Sequence, residues 1–316
     1  MKDGIAVDGW LFFSVAALLA VGIIMVLSTS YLYSQERFSD GTYFFRKQLT
    51  AVGAGLLTLC IAALLPAASY RRFVYPLLAL TLFILILVLI PGIGLSRGGA
   101  RRWLPLGGFV FQPAELAKIT LVLYLAHSLA KKGERVQTFG IGLLPHLIIG
   151  GLFLGLVLLE PDLGTTLILG MILFLMLFVG GAKFSHLAAI GLLALPAVGL
   201  AVVGADYRLR RLLTFLDPWR DASNTGFQII QSLALFGVIL VRGFRLAARI
   251  EEPFCQYLAF GTTTLLGLQA LIHMGVVMGL MPTKGLVLPF ISYGGSAMVM
   301  NMTCAGILLS LSRGRM

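Results

Sequence analysis

The sequence predicts an all-α fold, a polytopic helical membrane protein of about ten transmembrane helices. Three observations predict it. Hydrophobic residues make up 59% of the 316 and charged residues only 12%, at a mean hydropathy of +0.96, which is more apolar surface than a soluble domain can hide. Apolar runs recur at lengths near the ~20 helical residues that cross a hydrocarbon core. No polar block is long enough to fold alone, so residues 1–316 read as one integral membrane domain.

The candidate spans are 10–30, 47–65, 74–91, 114–130, 141–158, 165–180, 186–204, 226–241, 256–280 and 290–311. The first, Trp10 to Ser30, reads as a retained span, because no small-residue cleavage site stands out. Ten spans put both termini on one side, expected to be cytoplasmic, with residues 97–113 outside. On that orientation the 24 Lys and Arg residues divide evenly. The clusters 71–72, 131–135 and 242–249 follow the cytoplasmic bias of basic residues. The outer basic residues gather at 97–102 and 208–220, where arginines suit phosphate or pyrophosphate through bidentate bonds.

The most informative stretch is Arg97 to Lys118, which lies between the third and fourth spans. Glycines at 98, 99, 107 and 108 and prolines at 105 and 113 make it an irregular cationic loop. Pro113 suits the first position of a helix, on which Glu115 and Lys118 fall three residues apart on one face. The plainer alternative is an interfacial loop followed by an intrahelical ion pair.

Further along, Glu160-Pro161-Asp162 closes the fifth span. Asp162 suits the cap of the next helix, and the two carboxylates also fit a divalent cation or a sugar hydroxyl. Tyr207 to Leu216 alternates basic and apolar residues, as an interfacial segment does, and Trp219 suits the head-group layer. Gln228, Gln231 and Ser232 share a helix face that in lipid must turn inward, with plain helix–helix contact as the simpler role. Met281 to Ser296 breaks the backbone with two prolines and three glycines at a span boundary. Irregular backbone at that depth belongs beside protein or a wet cavity, with Lys284 available to an anion.

Several classes are excluded or disfavoured. Cys60, Cys255 and Cys304 are odd in number and scattered, and no Cys/His pair has metal-ligand spacing. His127, His146, His186 and His273 are isolated and suit helix packing or helix ends. The net charge of +11 points to anionic lipid rather than nucleic acid, for which no motif exists. No cofactor is required, with a divalent cation the one candidate.

Six pieces, in order, resemble the SEDS family (shape, elongation, division and sporulation): G-A-R-R-W-L-P-L-G, F-Q-P-A-E-L-A-K, E-P-D-L-G-T-T, D-P-W, G-F-Q-I-I-Q-S-L and G-L-M-P-T-K-G-L-V-L-P-F-I-S-Y-G-G-S. The combination is specific, whereas no single piece is. The R-R-W and Q-P-A-E pieces lean towards the division type within it. The resemblance implies a ten-span bundle with an outward polar cavity in the bacterial inner membrane, at the division septum. The implied activity is a peptidoglycan glycosyltransferase that joins lipid II disaccharides into glycan strands. The implied partners are a class B penicillin-binding protein transpeptidase and other divisome membrane proteins. Such glycosyl transfer needs a base for the attacking hydroxyl and positive charge for the leaving pyrophosphate. Arg101, Arg102 and Lys118 are assigned to pyrophosphate, with Glu115 holding Lys118. Glu160, Asp162 and Gln231 are assigned to sugar or cation contacts, and Lys284 and Ser292 to the opposite wall. Arg102, Glu115 and Lys118 are expected to face one outward-open cavity. The alternatives are a lipid II flippase, an elongation-type polymerase, and a scaffold.

One departure matters. In the family, Q-S-L leads to a glycine-rich turn and a long external loop carrying an aspartate implied as the base, in a stretch like P-E-x-H-T-D-F. Here Phe236-Gly237 runs directly into Val238-Ile239-Leu240-Val241-Arg242, so the catalytic base is unassigned. Either the loop is deleted here or a segment is omitted between 237 and 238, and the matching flanks on both sides favour omission. The α-carbons of Gly237 and Val238 would then lie farther apart than the ~3.8 Å of a trans peptide step.

Overall fold

The computed structural model describes residues 8–97, 99–107, 109–203, 226–277 and 287–314. Ten long helices and a small sheet make up these residues. They are α1 (Gly9–Phe38), α2 (Tyr43–Leu64), α3 (Ala67–Leu89), α4 (Pro113–Lys132), α5 (Leu144–Leu159), α6 (Leu163–Val179), α7 (Phe184–Val203), α8 (Gly226–Arg249), α9 (Pro253–Val277) and α10 (Gly295–Ser312). Six of the helical stretches are long and apolar enough to cross a membrane on length and composition alone. α4 carries four charged residues, and its environment makes them tolerable. It packs against α3, α5, α6, α9 and α10, and most of its length is buried in protein rather than facing lipid.

Small residues set the closest helix contacts, as expected where lipid removes the hydrophobic drive between helices. A methyl group at Gly306 of α10 would sit 2.5 Å from the Leu59 carbonyl of α2. The two helices can lie this close only because a glycine stands there.

The helix ends meet at two faces. At one face the Asp8 amide donates to Ser312 Oγ at 3.3 Å, the Arg242 guanidinium donates to Asp8 at 2.8 Å, and Arg71 pairs with Glu252. The beginning of α1 and the end of α10 therefore share a face, as an even number of spans requires. The sheet lies at the other face. With that face external, a cysteine replacing Ser96 in a Cys60→Ser background will react with an impermeant maleimide on intact cells. One replacing Glu134 will react only after permeabilisation. The reverse pattern would invert the molecule.

Two sequence expectations need correction. The stretch expected as an irregular loop is a meander of β1 (Leu95–Arg97), β2 (Ala100–Leu106) and β3 (Phe109–Phe111), both pairings antiparallel. Gly99 (φ +81°) and Gly107 (φ +50°) occupy left-handed conformations in its two turns, which a side chain would strain. The eighth span reaches Arg249 instead of ending at 241. Gly237 and Val238 are successive residues of this helix.

Asp8 ties the first face together. Its Oδ1 accepts the Trp10 and Leu11 amides at 3.1 Å and caps α1. Partial burial would raise its pKa, but the bonds from Arg242 and the two amides outweigh this and hold it below the ordinary 3.8. A depressed folded-state pKa contributes stability that is complete above the ordinary value and is lost as pH falls through the folded value. The melting-temperature gap between the wild type and Asp8→Asn will therefore be largest at neutral pH and close below 3.8. A gap that stays constant down to that range would remove the ionic role of Asp8.

Candidate functional site

The sheet, the start of α4 and the α5–α6 turn converge at the face opposite the termini. Strand geometry decides what the two arginines of β2 can do. Successive side chains of a strand point to opposite faces, so Arg101 and Arg102 cannot form one clamp. Arg101 turns back and donates to the Leu89 carbonyl at 3.0 Å, a favourable place for a cation at the C-terminal end of α3. Arg102 turns the other way, and its Nη1 lies 3.7 Å from Asp162 Oδ2. The strand thus parts the two arginines, Arg101 anchoring the sheet to the end of α3 and Arg102 facing Asp162.

Asp162 caps α6, as its sequence position suggested. It accepts the Thr165 amide at 3.1 Å and the Thr165 hydroxyl at 3.0 Å. It also accepts Gln112 Nε2 at 3.0 Å. Gln112, the residue before Pro113, links this carboxylate to the rest of the site: its amide donates to Ser296 Oγ at 3.0 Å, and that hydroxyl donates to the Val110 carbonyl at 3.1 Å. One carboxylate, one amide side chain and one hydroxyl thus fasten α6, the β3–α4 junction and the start of α10 together. Glu160 is fully buried two residues before Asp162, and neither of its carboxyl oxygens has a hydrogen-bond partner.

Beneath this junction lies the ion pair expected from the i, i+3 spacing. Lys118 Nζ is 2.8 Å from Glu115 Oε2 and donates to Gln269 Oε1 of α9 at 2.6 Å. Gln269 Nε2 in turn donates to Asn301 Oδ1 of α10 at 3.1 Å. Lys118 is 1% exposed and Glu115 4%. Their placement in an open cavity beside Arg102 is therefore corrected: the pair is sealed between α4, α9 and α10, and Arg102 stands above it, partly exposed. Burial explains the arrangement, since a lysine at this depth requires an acid and a second acceptor.

Ser292, expected to line the opposite wall, accepts the Leu288 amide at 3.2 Å and closes a turn. Gln231 lies in the 226–233 part of α8, where only the backbone is described. Lys284 and the segment 207–219 lie outside the described residues. Sequence reasoning gave no role to Gln112, Ser296, Gln269 or Asn301. The available signal for Gln269 and Asn301 was an amide side chain in the middle of each of two largely apolar helices. Gln112 and Ser296 carry no signal without the fold. Among the described residues no cluster of His, Cys, Asp or Glu could hold a metal ion.

A bundle of this kind, with an arginine–aspartate junction at one mouth above a sealed ion pair, is a SEDS-type membrane protein. The chain belongs to the FtsW/RodA/SpoVE family of cell cycle proteins, whose model matches residues 9–234 and 232–316. It is 38% identical to the probable peptidoglycan glycosyltransferase FtsW of Geobacter sulfurreducens, over 94% of this chain and 92% of that one. It is 32% identical to stage V sporulation protein E of Bacillus subtilis, over 94% of each. Among solved structures, a chain of a peptidoglycan synthase complex that coordinates polymerization and crosslinking superposes with a TM-score of 0.81 at 31% identity, covering 98% of both. The rod shape determining protein RodA of Thermus thermophilus superposes with a TM-score of 0.78 at 31% identity, covering 99% of both. The alignment with the Geobacter protein runs over 344 positions, more than the 316 residues of this chain, so that relative carries residues absent here.

Proposed function

We propose that the protein is a peptidoglycan glycosyltransferase of the division type, polymerising lipid II into glycan strands at the septum. A class B penicillin-binding protein is its transpeptidase partner. The observation that carries this reading is Arg102, fixed by Asp162 at the mouth of the bundle. A partly exposed guanidinium held there offers two parallel donors to a lipid diphosphate, both in the bound donor and as the leaving group departs. Asp162 acts as the positioning group, because Gln112 and Thr165 already hold its oxygens. Glu160, two residues before it, is buried with no hydrogen-bond partner. Glu115 and Lys118 support the site from below.

The direct run of the sequence from Gly237 into Val238 favours a second reading, in which the chain binds or translocates lipid II without polymerising it. The base implied by the family sits in a loop that this sequence lacks. The deciding experiment incubates purified protein, its partner and lipid II, and resolves the products on a gel. Glycan strands support the polymerase. Lipid II binding without strands, with polymerisation gained when the Geobacter segment is inserted between Gly237 and Val238, would replace it by the second reading.

A further inference from the structure

We infer that the face carrying the chain termini holds a binding pocket for a phosphate-bearing anion, which its position makes the head group of an anionic phospholipid. The pocket is an open basin of about 400 Å³ lined by Arg242, Arg245, Arg249, Asp8 and Ser312. It is separate from the site above and does not depend on the activity proposed there.

The three arginines recur at spacings of three and four on α8, which places them on one helix face within two turns. Like charges at that spacing repel weakly, and an anion among them relieves the repulsion. Asp8 is the one acid in the lining, and its oxygens are committed: one caps α1 and the other accepts Arg242. Arg245 and Arg249 are exposed and make no ion pair or hydrogen bond among the described residues. Of the other basic residues at this face, Arg71 holds Glu252 and Lys132 donates to the Ile141 and Gly142 carbonyls, while the exposed Arg72, Lys131 and Arg135 lie outside the basin. The basin thus presents two unspent guanidinium groups beside a third, a geometry that matches phosphate oxygens by paired bonds.

The helix also indicates where the anion comes from. Val241 and Phe244, four and one residues before Arg245, are exposed large apolar residues. Acyl chains can lie against them while the phosphate rests among the arginines. A soluble phosphate would leave that apolar surface unused.

The test uses the full chain in nanodiscs. Replacing part of the phosphatidylcholine by phosphatidylglycerol should raise its melting temperature, and Arg245→Gln with Arg249→Gln should remove more than half of the rise. Lys131→Gln with Arg135→Gln, which takes the same charge from the same face outside the basin, should keep the rise. Native mass spectrometry gives a second reading: retained phosphatidylglycerol should fall at least threefold in the Arg245/Arg249 variant only. An equal rise and equal retention in that variant would overturn the pocket. Stabilisation by inorganic pyrophosphate in pure phosphatidylcholine, without any rise from phosphatidylglycerol, would overturn the lipid assignment in favour of a soluble anion.

Discussion

Arg102→Ala will lower glycan polymerisation by about a hundredfold or more, the scale on which removing one preorganised donor from developing negative charge acts. The melting temperature will stay close to that of the wild type. The two parts of this expectation come from one geometry. Arg102 touches the protein through a single 3.7 Å ion pair at a partly exposed position, so the fold loses little without it. Its side chain is partly exposed and makes no other bond among the described residues, which leaves donors for a lipid diphosphate. Arg102→Lys will recover little, because a point charge cannot supply two parallel bonds. Arg101→Ala provides the contrast. It removes the bond to the Leu89 carbonyl and should lower the melting temperature more than it lowers turnover in the remaining folded protein. If Arg102→Ala polymerised lipid II at the wild-type rate, the cationic sheet would be interfacial decoration and the proposed role of the junction would fall.

How much of this was legible in the sequence depends on the range of the interaction. Helix count was legible, because each span needs only a local run of apolar residues. The Glu115–Lys118 pair was legible for the same reason, being fixed by helical spacing within one turn. The sheet was not. Its strands are three, seven and three residues long, and the glycines that turn it read equally well as a loop. Missing the sheet concealed the division of labour between Arg101 and Arg102, since only an extended strand sends neighbours to opposite faces. The sealing of Lys118 was also beyond local reading. It arises because α9 and α10, more than a hundred residues later, close over α4 and bring Gln269 and Asn301 to it. Asp162 was legible as a cap but not as the acceptor of Gln112 and the neighbour of Arg102, which are contacts made across the fold.

Lys118→Met will be the most destabilising of the single substitutions considered, by about 3–5 kcal/mol, the range measured when one partner of a buried ion pair is removed. The methionine fills the volume, so the loss is electrostatic rather than a cavity. Glu115, 4% exposed, would lose its cation, and Gln269 would lose the donor it meets at 2.6 Å. Each remaining group would then bear the cost of burial without a partner. Glu115→Gln should cost less, because Lys118 retains the Gln269 oxygen and gains the amide oxygen in place of the carboxylate. The double variant Glu115→Leu with Lys118→Met removes both charges and should recover most of the stability, since apolar replacement of an entire buried pair is often neutral or favourable. The measurement is a double-mutant cycle by unfolding in mixed micelles, where contacting residues couple by roughly 0.5–3 kcal/mol. Simple additivity of the two single losses would mean that the charges do not interact. A wild-type melting temperature for Lys118→Met would mean that the lysine reaches water by a path the sealed pair does not offer. Lipid II turnover, compared across the stable double variant and the wild type, then separates support from chemistry. A folded but inactive double variant would place the ion pair in the reaction itself, whereas an active one would confine it to holding α4, α9 and α10 beneath Arg102.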